Sequence, residues 1–260
     1  MPIHISKPHM HVGPLDPAWA WIWKAGMFVL PAWEGSGRPR QYSDWKSRRP
    51  TLGSDGVAPT WEGCRAGWGM RFNNPGTLAG GNSANGWRWN DLNLQFSTLD
   101  QQTIAVVWTA FSTSNHLRSL VDMVFVATHV GRLALNSTAN TLQFVAPGST
   151  VTTGAIVTEA YPNVNVTVAS SWSSNDQYIM HNGQLGASTT PGAIAQSDGP
   201  ALGIGYDVLT GHEKQAIDGV IPLVVISDHY WSRDQAKAWS RDPFGFLRPM
   251  PRRRNQANRA

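Results

Sequence analysis

Two tryptophans in NGWRWND, Trp87 and Trp89, are spaced so that in a strand both indoles fall on one face. A pair of coplanar indoles can stack on a sugar ring, and packing of the same indoles into a core is the competing reading. Acid–base chemistry is poorly served. A glycosidase needs two carboxylates flanking one bond, yet none of Glu34, Glu62, Glu159 and Glu213 has an aspartate two residues on. Asp207 can pair in space with Glu213 or Asp218, but these read as loop carboxylates. Eight histidines could serve a Ser-His-Asp arrangement, but no G-x-S-x-G elbow is present. Asp228 and His229, adjacent in DHYW, read as a polar corner capping the segment that follows. LAGGNSANG (78–86) lacks the Lys-Ser/Thr of a phosphate loop. His4, His9 and His11 lie among prolines in a leader without a core pattern, where imidazoles have no further ligands nearby. The chain is therefore read as a non-enzyme with no cofactor and no metal.

The elements that would carry these residues are strands. LNLQFS (92–97), GRLALNS (131–137), TLQFVAP (141–147) and NVNVTVASSW (163–172) alternate apolar and polar residues, as a sheet with one wet face requires. TIAVVWTAFS (103–112) and SLVDMVFVA (119–127) are apolar on both faces, as in central strands. Further strands are KAGMFVLPA (24–32), GWGMRFN (67–73), ALGIGY (201–206) and GVIPLVVIS (219–227). Pro222 cannot donate to a ladder, so the last of these should lie at an edge or bulge around it. Asn182-Gly183 in YIMHNGQLGAS marks a two-residue hairpin. SRDQAKAWSRD (232–242) switches to helical period, with Ser232 as N-cap, Asp234 in the first turn and Ala236 and Trp239 on one side, stopped by Pro243.

Composition agrees. Charged residues make up 15% of the chain, against about 25% in typical soluble domains, and Gly, Ser, Thr and Asn fill the space. Nine of the thirteen tryptophans lie between Trp19 and Trp89, among Gly and Pro. The single cysteine, Cys64, excludes an internal disulfide. Residues 233–260 hold eight Lys or Arg against two Asp, a local +6, so the first 232 residues stand at −2 within the total of +4. The basicity belongs to a tail whose end, RPMPRRRNQANRA, reads as an extended arm. No basic segment followed by an apolar one opens the chain, so no signal peptide is expected. VDMVFVA and VIPLVVI are far short of the roughly 20 residues that cross a bilayer, so no membrane partner is expected.

The order of the pieces carries a resemblance. WEGSG (33–37), PTWEGCRAGWGMRFN (59–73), TIAVVWTAF, VNVTVASSWSSNDQYIMHNGQLGAS, ALGIGY and GVIPLVVISDHYWSRDQAKAWSRDPFGFLRP follow one another as the strands of laminin-G-like, concanavalin A-like jelly-roll domains do. The chain resembles that family over about residues 20 to 249, departing from it where Asp218 precedes Gly219 and the run reads VIPLVV. The resemblance implies an all-β fold: a two-sheet antiparallel jelly-roll sandwich with one short C-terminal helix. It implies three parts, an N-terminal arm (1–18), the jelly-roll domain (19–249) and a basic tail (250–260). Calcium sites of such domains would fall on Glu34, Asp44 and Asp228, but the oxygen-rich loop spacing is missing.

Such domains often act outside cells, and release by lysis reconciles that with a chain lacking an export signal. The resemblance extends to bacteriophage virion proteins with a DPF-type ending. The expected function is accordingly a virion structural protein, a decoration or accessory component of head or tail, synthesised in the bacterial cytoplasm. Arg252, Arg253 and Arg254 would anchor it to capsid or tail subunits, as a homo-oligomer on the particle; nucleic acid is not an expected partner. The alternative is a carbohydrate-binding lectin that recognises host surface glycans through Trp87 and Trp89.

Overall fold

β-branched and aromatic runs, broken by Gly, Asn and Pro, leave the backbone little choice but strands. The computed structural model of the chain describes residues 19, 21–22, 27–31, 51–52, 59–74, 86–89, 100–111, 117–125, 128–136, 139–146, 148–191, 201–208 and 216–247. The first strands among them are β1 (Met27–Pro31), β2 (Thr51–Leu52), β3 (Thr60–Cys64), β4 (Gly67–Phe72), β5 (Trp87–Trp89), β6 (Gln101–Ala110), β7 (Leu117–Phe125) and β8 (Thr128–Asn136). There follow β9 (Thr141–Ala146), β10 (Ser149–Thr152), β11 (Asn165–Trp172), β12 (Asp176–His181), β13 (Gln184–Thr189), β14 (Ala201–Ile204) and β15 (Gly219–Ser227). One helix, α1 (Arg233–Arg241), follows β15.

Sheet A runs β13-β12-β11-β6-β15-β4-β3, with β1 also on β15, and sheet B runs β10-β9-β8-β7-β14-β5-β2. Neighbours in both are antiparallel, so the architecture is the expected jelly-roll sandwich with one short helix. Between the sheets lies an apolar core to which Phe72, Ile104, Val106, Trp108, Leu133 and Phe144 contribute. The hairpin at Asn182-Gly183 joins β12 to β13, with both residues at positive φ (48° and 77°). Asn182 Oδ1 also accepts the Val166 N–H at 2.8 Å, which ties the turn to β11.

A second apolar cluster lies on the outer face of sheet A. Val107, Val168, Tyr178, Leu223 and Val225 point outward and are roofed by Trp231, by Ala236 and Trp239 of α1, and by Phe246. The helix starts as its sequence demands: Ser232 accepts the Gln235 N–H, and the Gln235 side chain accepts the Ser232 N–H. This roof explains one departure from expectation. NVNVTVASSW was read as half wet, but β11 is buried along its whole length except at Trp172. Its outward hydroxyl at Ser170, with that of Thr103 from β6, takes the Trp231 N–H instead of water, at 3.0 and 3.1 Å. β8, also read as half wet, is buried from Val130 to Leu135. β9 does alternate as expected.

Pro222 lies in a central strand. β15 pairs with β6 on one side, slipping register between Val220 and Leu223. On its other side it pairs first with β4, over Gly219–Ile221, and then with β1, over Leu223–Ser227. The proline falls at this change of partner, so its missing N–H interrupts neither ladder. Of the two expected accommodations, the bulge is the one used. β3 and β10 lay within stretches not read as strands, and LNLQFS lies outside the described residues.

Candidate functional site

Where the roof over sheet A stops, aromatic and charged side chains are left at its rim. Trp172 ends β11, opposite Gln101 of β6 and Asp176 of β12. Alternation sends its indole outward, on the face of Val168 and Ser170, one step beyond the last residue covered by Trp231. It is 40% exposed. Tyr230 stands beside it, ring centroids 5.8 Å apart and tilted by 46°, and itself meets Tyr178 edge-on.

A locked carboxylate holds the rim in place. Asp176 Oδ2 accepts from the Tyr230 hydroxyl at 2.7 Å and from Arg233 Nε at 3.2 Å, and Oδ1 accepts from Arg233 NH2 at 2.9 Å. The Gln101 amide oxygen accepts the Tyr230 N–H at 3.0 Å. Burial, then the bond to Asp176, pushes the Tyr230 phenol well above its usual range, so it remains a neutral donor. Burial does the same to Tyr178, whose hydroxyl donates to Trp231 O at 2.6 Å. Committed to three donors, Asp176 is a brace. What remains is a flat apolar ring edged by fixed polar groups, an arrangement on which a ring-shaped ligand can stack.

Asp228 and His229 form the polar corner that leads into α1. His229 Nδ1 meets Asp228 Oδ1 at 2.7 Å, and Ser227 Oγ accepts the His229 N–H at 3.2 Å. At the far end of the same outer face, Phe111 is 41% exposed. Its ring is stacked against Tyr161 at 4.3 Å, with the Arg71 guanidinium 4.2 Å from its centroid. Arg71 pairs with Asp218 at 2.7 Å, and the Tyr161 hydroxyl donates to Glu62 at 3.0 Å. Tyr161 and Arg71 thus already take up the π surface of Phe111.

Sheet B carries a different constellation on its outer face. SLVDMVFVA was read as apolar on both faces, but Asp122 projects away from the core-facing Met123 and is fully buried. His129 Nδ1 meets Asp122 Oδ1 at 2.7 Å, and Asp122 Oδ2 accepts the Val208 N–H at 2.8 Å. Arg132 lies 3.3 Å from Asp207 and donates from Nε to Ser119 at 3.0 Å. Ligand atoms of Asp122, His129 and Asp207 come within 4.8 Å of one another. The guanidinium of Arg132 already supplies the positive charge there, and both Asp122 oxygens have donors. Burial lowers the Arg132 pKa, and Asp207 and Asp122 oppose that shift.

The residues singled out from sequence fare unequally. Trp87 does lie on a strand, but its indole is 3% exposed and belongs to the inter-sheet core, so it follows the packing reading and presents no face to a ligand. The Trp89 backbone pairs with Leu202. Arg252, Arg253, Arg254, Glu34, Asp44 and Glu213 lie outside the described residues. Trp172 was within reach of the sequence: in SSWSSND it is a lone aromatic among small polar residues at a strand end, a poor context for a core residue.

No family model matches the chain, and no curated protein matches its sequence. Solved structures do. A sialidase of Trypanosoma rangeli, in complex with sialic acid, superposes with a TM-score of 0.59 at 14% identity, over 88% of this chain and 35% of its own. The botulinum neurotoxin serotype G binding domain gives 0.58 at 9% identity, over 82% of this chain and 50% of its own. The serotype D binding domain gives 0.57 at 7%, over 85% and 52%. The chain thus spans about a third of the sialidase and half of the toxin domains, and shares the β-sandwich fold with all three.

Proposed function

We propose that the chain is a carbohydrate-binding, lectin-like sandwich whose platform is Trp172. The observation that carries this reading is an indole left 40% exposed beside side chains that are otherwise fully engaged with one another. Leaving a large aromatic in water costs burial energy, and a stacking ligand recovers it. The sialidase neighbour was solved with a bound sugar and the toxin neighbours are named as binding domains, which is in keeping with this reading. The expected role of decorating a bacteriophage particle rests on the ends of the chain. None of the neighbours named above is a virion protein, and the lectin reading is preferred.

A glycan array with the whole chain, followed by titration of the hits against Trp172→Ala, tests the proposal. Wild-type protein should bind at least one glycan, and the variant should lose about tenfold in affinity, as a central aromatic contact does. Its melting temperature should be almost unchanged. No glycan bound by wild type, or equal binding by the variant, would overturn it.

A further inference from the structure

The rim at Trp172 continues into a row of positive charge. Arg233, Lys237 and Arg241 recur every four residues along α1, and all three are exposed. Spacing of four places them on one side of the helix, with an axial rise of about 6 Å per step and about 12 Å in all. The buried side of the helix is Ala236 and Trp239, so the basic row faces outward. Arg233 is paired with Asp176, Asp234 lies in the first turn and Asp242 caps the C-terminal end, so the unpaired charge of the row is that of Lys237 and Arg241. Lys237 and Arg241 have no ion pair among the described residues. Arg233 shares its charge with Asp176 through Nε and NH2, and its side chain is 45% exposed. Asp176 is also the cross-strand partner of Trp172. Asp176 thus links the platform to Arg233, the first residue of the basic row.

We infer that the ligand of the Trp172 site is an anionic polysaccharide, bearing carboxylate or sulfate groups on successive sugars. One ring stacks on Trp172 while the acidic groups of the sugars that follow meet Arg233, Lys237 and Arg241. An axial step of about 6 Å between successive positions of the row lets acidic groups on successive sugars meet successive side chains. A neutral glycan would use the platform and gain nothing from the helix. This inference rests on the lectin reading and deepens it.

Four probes separate the possibilities: dextran, dextran sulfate, alginate and single-stranded DNA, each titrated at low and high salt. Dextran sulfate and alginate should bind about tenfold or more tighter than dextran at low salt, the gain expected from a few exposed ion contacts. The gain should shrink as salt rises. Lys237→Glu with Arg241→Glu should bring both anionic glycans down to the level of dextran and leave dextran itself unchanged. The milder Lys237→Gln with Arg241→Gln, with an unaltered melting temperature, guards against a folding artefact. Trp172→Ala should weaken every glycan. If neutral and anionic glycans bind alike through Trp172, or the helix variants bind like wild type, the basic row has no role and the lectin reading survives. Failure of all three glycans would overturn the inference, whereas the lectin reading falls only if no glycan on the array binds. DNA binding as tight as dextran sulfate and indifferent to Trp172→Ala would mark the helix as a general polyanion contact and overturn the inference.

Discussion

Over sheet A, Trp231, Trp239 and Phe246 press on Val107, Val168 and Leu223; over sheet B, Asp122, His129, Arg132 and Asp207 meet beside Tyr206, Val208 and Ala216. Part of each outer face is thereby withdrawn from water, one by apolar contact and the other by matched charge. Apolar contact is non-directional, so such a roof can end anywhere and leave a usable aromatic margin, as it does at Trp172. A buried ionic cluster must have every group answered, because a charge left alone in low dielectric is costly. The difference puts an exposed aromatic margin, the proposed platform, on sheet A and a closed ionic cluster on sheet B.

Deleting the apolar roof should have the largest effect. Trp239→Ala empties a fully buried site and should cost about 3–5 kcal/mol in urea unfolding. Arg132→Met should cost nearly as much, about 3–5 kcal/mol, because Asp122 and Asp207 would remain buried without their guanidinium. A loss well under ~1 kcal/mol in the second variant would break the comparison, since the cluster would then be no lock. Ser232→Ala removes the cap of the roofing helix and should cost about 1 kcal/mol by the same measurement.

The smallest effect is one of pH. His181 lies at a sheet A edge of the inner core, where the Trp108 indole N–H donates to Thr167 Oγ1 at 2.9 Å and Thr167 meets His181 Nδ1 at 3.1 Å. Burial lowers its pKa from the ordinary 6.5. The unfolded chain therefore takes up a proton before the folded one as pH falls. Its contribution to stability is complete above 6.5 and is lost as pH drops through 6.5 toward the lower folded value. His181→Gln should flatten that part of the stability–pH curve.

Much of the fold was legible because its signals are local. Ser232, Asp234 and Pro243 bound the helix, Asn182-Gly183 turns the hairpin, and TIAVVWTAFS is buried on both faces as β6. What failed was the identity of the neighbours. Alternation in β11 could not show that Trp231 would cover its polar face, nor could Trp87, in a three-residue strand, show which side was the core. Asp122, alone in an apolar run, was the visible trace of the cluster on sheet B. Its partners His129, Arg132 and Asp207 come together only through strand register and the segment after β14, which no local pattern encodes.

The placement of β15 bears on how the chain must be made. It is the last of the described strands to leave the ribosome, yet it fills the middle of sheet A, between β6 and the β4 and β1 pair. Until it emerges, β6 and β4 each wait with an open hydrogen-bonding edge, the state most prone to pair with a stranger. A product cut short before Gly219 would hold two unfinished ribbons, so premature termination should yield insoluble material whatever the fate of the rim.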